Sequence, residues 1–149
     1  MDNELKREII MENYLHPINK ETPEDKENYD YVNSNNESCI DNIDIYMLVQ
    51  DKVIKDIKFN GEACAISTST TSIMIKLFLG KTVEEAYNIL NNYENMINEK
   101  SYDSEILGEA NCYDDIYKQE NRKHCALLPW NGIRKLLEKY LRSEERRVG

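Results

Sequence analysis

The segment "IDIYMLVQDKVIKDIKF" (residues 43–59) holds two runs rich in Ile, Val, Tyr and Phe, separated by "QDK" at 50–52. Branched and aromatic residues suit a pleated, half-buried surface, so the pair predicts an antiparallel hairpin. Upstream, Leu5, Ile9, Ile10 and Tyr14 recur at helical spacing until Pro17 stops them. Residues 18–38 are polar, Asn-rich and Pro-containing, and predict a long loop. Downstream, "NGEAC" (60–64) predicts a turn, and residues 65–80 a helix closed by Gly80. Thr82 and Glu85 form a capping box that opens a helix reaching about Tyr93. Residues 91–121 are polar and acidic, with helical fragments at best. The strongest helix is "ALLPWNGIRKLLEKYL" (126–141), whose apolar stripe is Leu127, Leu128, Ile133, Leu136, Leu137 and Tyr140, although Gly132 weakens its early turns. The order of one helix, a small sheet and then helices indicates an α+β fold, a small antiparallel sheet packed against several α-helices in one domain spanning 1–141.

Composition narrows the function. The chain has 149 residues, 40% hydrophobic and 32% charged, with a formal net charge of −9. That balance argues against nucleic-acid binding, which needs a basic footprint, and favours docking to a basic protein surface. The acidic stretch at 99–120 is the candidate docking surface. No segment is apolar enough for a signal peptide or a membrane span, so a cytoplasmic location is expected. In that compartment the four cysteines, Cys39, Cys64, Cys112 and Cys125, are expected reduced. Read as disulfides they would allow three connectivities, but metal binding or thiol chemistry fits a reducing compartment better.

Three cysteines fall at predicted element junctions. Cys39 precedes the first strand, Cys64 opens a helix, and Cys125 opens the last helix. A helix N-terminus offers unpaired N–H groups and a positive dipole end, which favour a thiolate. Thiolates are the metal-binding and nucleophilic form. Asp41 lies two positions after Cys39, and in extended chain i and i+2 point the same way. Cys39, Asp41, Cys64 and Cys125 together make a four-donor set suited to Zn²⁺ or an iron–sulfur cluster. The cysteines lie 25 and 61 residues apart, however, unlike the pairs of a zinc finger. On spacing alone, buried cysteines acting as small hydrophobes remain an alternative.

The surrounding words add a resemblance. "IIMENYLHPINK" (9–20), "SCIDNIDIYMLV" (38–49), "IKDIKFNGEACAIS" (54–67), "LGKTVEEA" (79–86) and "RKHCALLPW" (122–130) occur in this order. Together they resemble the U-type iron–sulfur cluster assembly proteins, the SufU and IscU family, over about residues 4–140. The long interval between Cys64 and Cys125 and the missing "LPPVK" word lean to the SufU branch, whereas His124 is an IscU-like feature.

The resemblance implies a sulfur-accepting role for Cys39, with a SufS-like cysteine desulfurase as partner. It implies Asp41, Cys64 and Cys125 as zinc ligands beside Cys39. In that family a partner side chain replaces the accepting cysteine on the metal. Arg122 matches a basic position near the last cysteine, and His124 is read as a residue of the site rim, with a ligand swap for Asp41 as the alternative. Where the family has "CGD", this chain has Ile40, which disfavours φ > 0 and puts the freedom of Cys39 in question. Ala63 likewise replaces a glycine. The expected function is that of a zinc-dependent sulfurtransferase passing sulfur toward iron–sulfur assembly and apo-proteins. Two alternatives stand beside it. One is a scaffold that builds and transfers a [2Fe–2S] cluster from bound iron, and the other is a structural zinc module.

The remaining chemical residues read plainly. Cys112 is a bystander, His16 a surface residue beside Pro17, and Trp130 a core residue. Ser67–Ser72 is a closely packed helix near the site, with no base beside it to make a nucleophile. The last eight residues, Arg142–Gly149, have no periodicity. They match what the start of a common short-read sequencing adapter encodes in this frame, and are expected to be a non-native tail. They carry three Arg and two Glu, so the chain without them stands near −10. The encoding genomic locus tests this, since it should continue differently after Leu141.

Overall fold

A computed structural model describes residues 1–36 and 40–148, with side chains described as far as residue 143. Cys39 lies outside the described residues. Helix α1 (Asn3–Leu15) leads through a short 3-10 turn to strands β1 (Asp30–Asn35), β2 (Asn42–Gln50) and β3 (Val53–Glu62). Helices α2 (Ala65–Phe78) and α3 (Val83–Ile97) follow. Two 3-10 segments, Glu105–Tyr113 and Ile116–Lys118, then lead into α4 (Glu120–Val148). The strands form an antiparallel sheet in the order β1-β2-β3. The α+β expectation holds.

The predicted hairpin is β2 and β3, with Gln50 paired to Val53. The two residues between them, Asp51 and Lys52, both have positive φ, at 53° and 66°. That is the backbone of a two-residue hairpin turn, whose twist matches that of the strands. Alternate residues Ile43, Ile45 and Met47 of β2 are buried against Ile57 and Phe59 of β3. The expected turn at 60–64 is instead largely strand, because β3 runs on to Glu62. Gly61 makes this extension possible. It has φ of 125°, and a Cβ there would lie 2.1 Å from the Asn42 carbonyl oxygen. Only glycine allows β3 to close so tightly on the residue after Asp41.

The loop expected over 18–38 contains β1, which pairs with β2 from Asp30↔Met47 to Asn35↔Asn42. Its Asn-rich composition hid it because β1 is an edge strand, and Tyr31 and Asn35 face solvent. The polar stretch 91–121 also differs from expectation. Helix α3 continues to Ile97, and the 3-10 segments bury Leu107, Ala110, Cys112, Tyr113 and Ile116. Glu99, Asp103 and Glu105 of this stretch are exposed, while its sparse apolar residues complete the core.

Helix α2 lies at the centre. Every residue from Ser67 to Ile75 is buried. Its hydroxyls are small enough for neighbours to approach and find partners on them. Ser72 Oγ donates to Asn13 Oδ1 of α1 at 2.9 Å. Ser69 pairs with the Tyr113 hydroxyl at 2.5 Å. Thr70 Oγ1 meets the Tyr93 hydroxyl at 3.0 Å and accepts from Trp130 Nε1 at 2.9 Å. Trp130 is fully buried, stacked on Tyr93 at 3.8 Å and edge-on to Phe78 at 5.5 Å.

Helix α4 begins at Glu120, six residues before the predicted run, and continues past Leu141 to Val148. Pro129 therefore lies inside it rather than in its first turn. The ring removes the N–H that would bond the Cys125 carbonyl four residues back. Side chains from other elements take up carbonyls of this stretch. Tyr93 OH donates to the Ala126 carbonyl at 2.8 Å, and Ser34 Oγ to that of Leu128 at 2.6 Å. Gly132 sits where β1 crosses α4, and a Cβ there would come within 2.9 Å of Ser34 Cβ. Helix propensity favours Gly132→Ala by about 1 kcal/mol, but overpacking costs about 1–3 kcal/mol. The clash should win, so G132A is expected to lower the urea midpoint of the metal-free protein.

Candidate metal centre

Asp41 sits immediately before β2 and is only 1% exposed. A buried carboxylate needs donors to stay charged. Asp41 Oδ1 accepts from the Cys64 backbone N–H at 2.7 Å, and Oδ2 from Ser67 Oγ at 2.6 Å. Both donors belong to the start of α2. The paired ends of β2 and β3 bring Asp41 and α2 together, since Asn42 pairs with Glu62 two residues before Cys64.

Cys64 is the N-cap of α2, as expected for a cysteine that opens a helix. Its Sγ accepts from the Ser67 N–H at 3.4 Å and stands 3.7 Å from Asp41 Oδ2. Ser, Thr, Asp and Asn are the usual N-caps. Here the sulfur of Cys64 takes the place of the usual side-chain oxygen.

Cys125 requires a correction. It does not open the last helix but is its sixth residue. The dipole effect fades within the first turn, so it does not favour a thiolate here. Burial instead pushes the Cys125 thiol up, reinforced by Cys64 and Asp41 beside it. The site itself, rather than the helix start, must supply whatever ionises Cys125. Its carbonyl, left without an N–H by Pro129, lies 3.2 Å from Ser67 Oγ.

Asp41, Cys64 and Cys125 thus converge, with one donor atom from each within 4.8 Å of the others. Atoms bound to one tetrahedral zinc ion stand roughly 3.3–3.8 Å apart, given bonds of about 2.0–2.3 Å. Two sulfurs and a carboxylate oxygen are donors that zinc accepts. The residues present therefore fit a zinc ion. Cys64, Cys112 and Cys125 are free thiols.

Among the described residues, neither His124 nor Cys112 joins this donor group. The His124 side chain is 59% exposed, with Nε2 3.5 Å from Glu120 Oε1. Arg122 is exposed and lines a groove with Lys6 and Arg7 of α1. Cys112 is buried, and desolvation pushes its thiol up to about 12. Ile40, the residue that departs from "CGD", is 72% exposed beside the cluster. Ser67 was legible only as part of a packed helix. Its position three residues after Cys64, where an N-cap side chain meets a backbone N–H, was the available signal.

The NifU-like N-terminal domain model matches residues 5–147. The zinc-dependent sulfurtransferase SufU of Bacillus subtilis is 34% identical over 132 residues, 88% of each chain. This chain belongs to the SufU/IscU family. The family's fold is equally evident in solved structures. A protein from Fervidobacterium islandicum described as an iron–sulfur cluster assembly scaffold for the SUF system superposes with a TM-score of 0.81. It is 31% identical, and the match covers 92% of this chain and 99% of that one. The iron–sulfur cluster assembly scaffold IscU of Thermotoga maritima is 34% identical over 107 residues, 72% of this chain and 75% of its own. Both SufU and IscU members thus lie at the same identity, although the SufU match is the longer. Among the described residues no helix is long and apolar enough to cross a membrane.

A metal centre here should register in stability. Zinc at about 100 times its dissociation constant stabilises a folded protein by about 2.7 kcal/mol. Calorimetry with zinc against chelator should therefore show a higher melting temperature with zinc, and Cys64→Ala or Cys125→Ala should erase most of the difference. Equal melting temperatures for the wild type would argue against the centre.

Proposed function

We propose that this protein is a zinc-dependent sulfurtransferase that accepts sulfur on Cys39 from a cysteine desulfurase, for iron–sulfur cluster assembly. The observation that carries this reading is the convergence of Asp41, Cys64 and Cys125, with Asp41 only two residues from Cys39. The length of the match to the zinc-dependent sulfurtransferase of Bacillus subtilis supports it. Cys39, Asp41, Cys64 and Cys125 would hold Zn²⁺. The bound ion supplies positive charge that favours thiolates at neutral pH.

The chain's own groups define the reaction. The Cys39 thiolate attacks the outer sulfur of the partner's persulfide, forming a new S–S bond on Cys39. The partner's S–S bond breaks, and its cysteine leaves as a thiolate with the electron pair. This is thiol–disulfide exchange, so no external oxidant or reductant is needed. Asp41 and Cys64 are held by hydrogen bonds from the start of α2. These bonds are consistent with Asp41 and Cys64 staying in place, and the resemblance to the SufU family implies Cys39 as the donor to be exchanged. Exposed Ile40 beside it offers apolar surface to the docking desulfurase. His124 and Arg122 are proposed as accessory groups at the rim. A cytoplasmic location is part of this reading, because a reducing compartment keeps such cysteines available as metal ligands.

A second reading rests on the IscU match, in which the same donors carry a [2Fe–2S] cluster and pass it to apo-proteins. Anaerobic purification separates the two. Bound zinc, with a cognate desulfurase accelerated by the protein, is the expected result, and Cys39→Ala should abolish the acceleration. Wild-type acceleration by C39A would overturn the sulfur-acceptor role. Bound iron with a visible chromophore, able to mature an apo-ferredoxin, would establish the scaffold instead.

A further inference from the structure

We infer that Ser67 is the positioning residue of the metal centre, orienting Asp41 and Cys64 through two separate hydrogen bonds. The inference rests on the metal reading of the cluster and concerns a residue outside the ligand set. Ser67 is fully buried at the third position of α2. Its backbone N–H points back to Cys64 Sγ at 3.4 Å, and its hydroxyl reaches Asp41 Oδ2 at 2.6 Å. The second distance is that of a charge-assisted O–H···O⁻ bond. The same oxygen lies 3.2 Å from the Cys125 carbonyl and 3.5 Å from Cys64 Sγ. One residue thus touches all three donor-bearing residues, which come from the sheet, α2 and α4.

The hydroxyl has one hydrogen, and the carboxylate is both the nearer and the charged acceptor. Oδ1 of the same carboxylate is already held by the Cys64 N–H. With both oxygens held, the Asp41 plane is fixed and Oδ2 stays turned toward Cys64 Sγ. Remove the hydroxyl and one of these two restraints is gone, while the Cys125 carbonyl loses a neighbouring donor. Groups that orient metal ligands in this way typically carry a 10–100-fold share of metal affinity. A site held without such support binds loosely.

The test compares Ser67→Ala with Ser69→Ala. Both remove a buried hydroxyl from the same helix, but Ser69 pairs with Tyr113, outside the cluster. Zinc affinity is read by chelator competition, cobalt(II) substitution by its d–d absorption, and folding by circular dichroism and melting without metal. S67A is expected to weaken zinc by about 10–100-fold and to alter the cobalt spectrum. S69A should leave both unchanged at a comparable loss of melting temperature. Ser67→Thr, which keeps the hydroxyl, should recover most of the affinity. If S67A and S69A bind zinc equally and give the same cobalt spectrum, Ser67 is merely structural and the inference falls. If S67A does not fold, S67T decides, because wild-type affinity and spectrum support the role and weakened binding by folded S67T overturns it. A wild type that takes up no zinc removes the metal reading itself, a result distinct from these.

Discussion

Six consecutive hydroxyl side chains, Ser67 to Ser72, are buried in the middle of the molecule. Each buried hydroxyl without a partner would cost roughly 1–3 kcal/mol, so each must be answered. Thr71 and Thr68 turn back on their own chain, to the carbonyls of Ser67 and Ala63. The others reach outward. Ser72 specifies Asn13 on α1, Thr70 specifies Tyr93 on α3 and Trp130 on α4, and Ser69 specifies Tyr113 in the 3-10 segment. The packing of nearly every helix is thereby tied to one polar stretch of α2, whose hydroxyls point around its circumference. Ser67, the first of the six, is the one directed at the site.

The site and the core are consequently one construction. Asp41 and Cys64 are joined through the start of α2, and Cys125 is added by the one stretch of α4 where proline interrupts the helical hydrogen bonds. The carbonyls of that stretch meet hydroxyls of Ser67, Tyr93 and Ser34, drawn from three different elements. The segment carrying the last cysteine is thus gripped from the sheet, from α2 and from α3. A donor-to-donor spacing within 4.8 Å follows from that grip. It does not depend on any short sequence motif, which explains why 61 residues can separate Cys64 from Cys125.

Where the sequence misleads, the cause is tertiary compensation. Proline is favoured in the first turn of a helix, where its missing N–H costs nothing. "ALLPW" accordingly reads as a helix start and places Cys125 at a favourable dipole. In the structure α4 has begun five residues before Cys125, and the Ser67 hydroxyl stands near the carbonyl that Pro129 leaves unbonded. Similarly "DYVNSN" lacks a strand's apolar pattern but becomes β1, because β2 offers an unpaired edge in register with it. The acidic stretch 91–121 hides core residues such as Tyr113, whose partner Ser69 is distant in sequence.

What the sequence by itself determined was local. The hairpin over 43–59, the Thr82–Glu85 capping box and Cys64 at a helix start all depend on neighbours within a few residues, whose spacing is visible in the chain. It also carried the family words that singled out Cys39, Asp41, Cys64 and Cys125. Only the tertiary structure decided that Asp41 is buried, that Cys125 sits inside a helix, and that Ser67 lies between the donors. Those outcomes rest on hydrogen bonds spanning 23 to 58 residues of chain, and no local preference encodes such pairings.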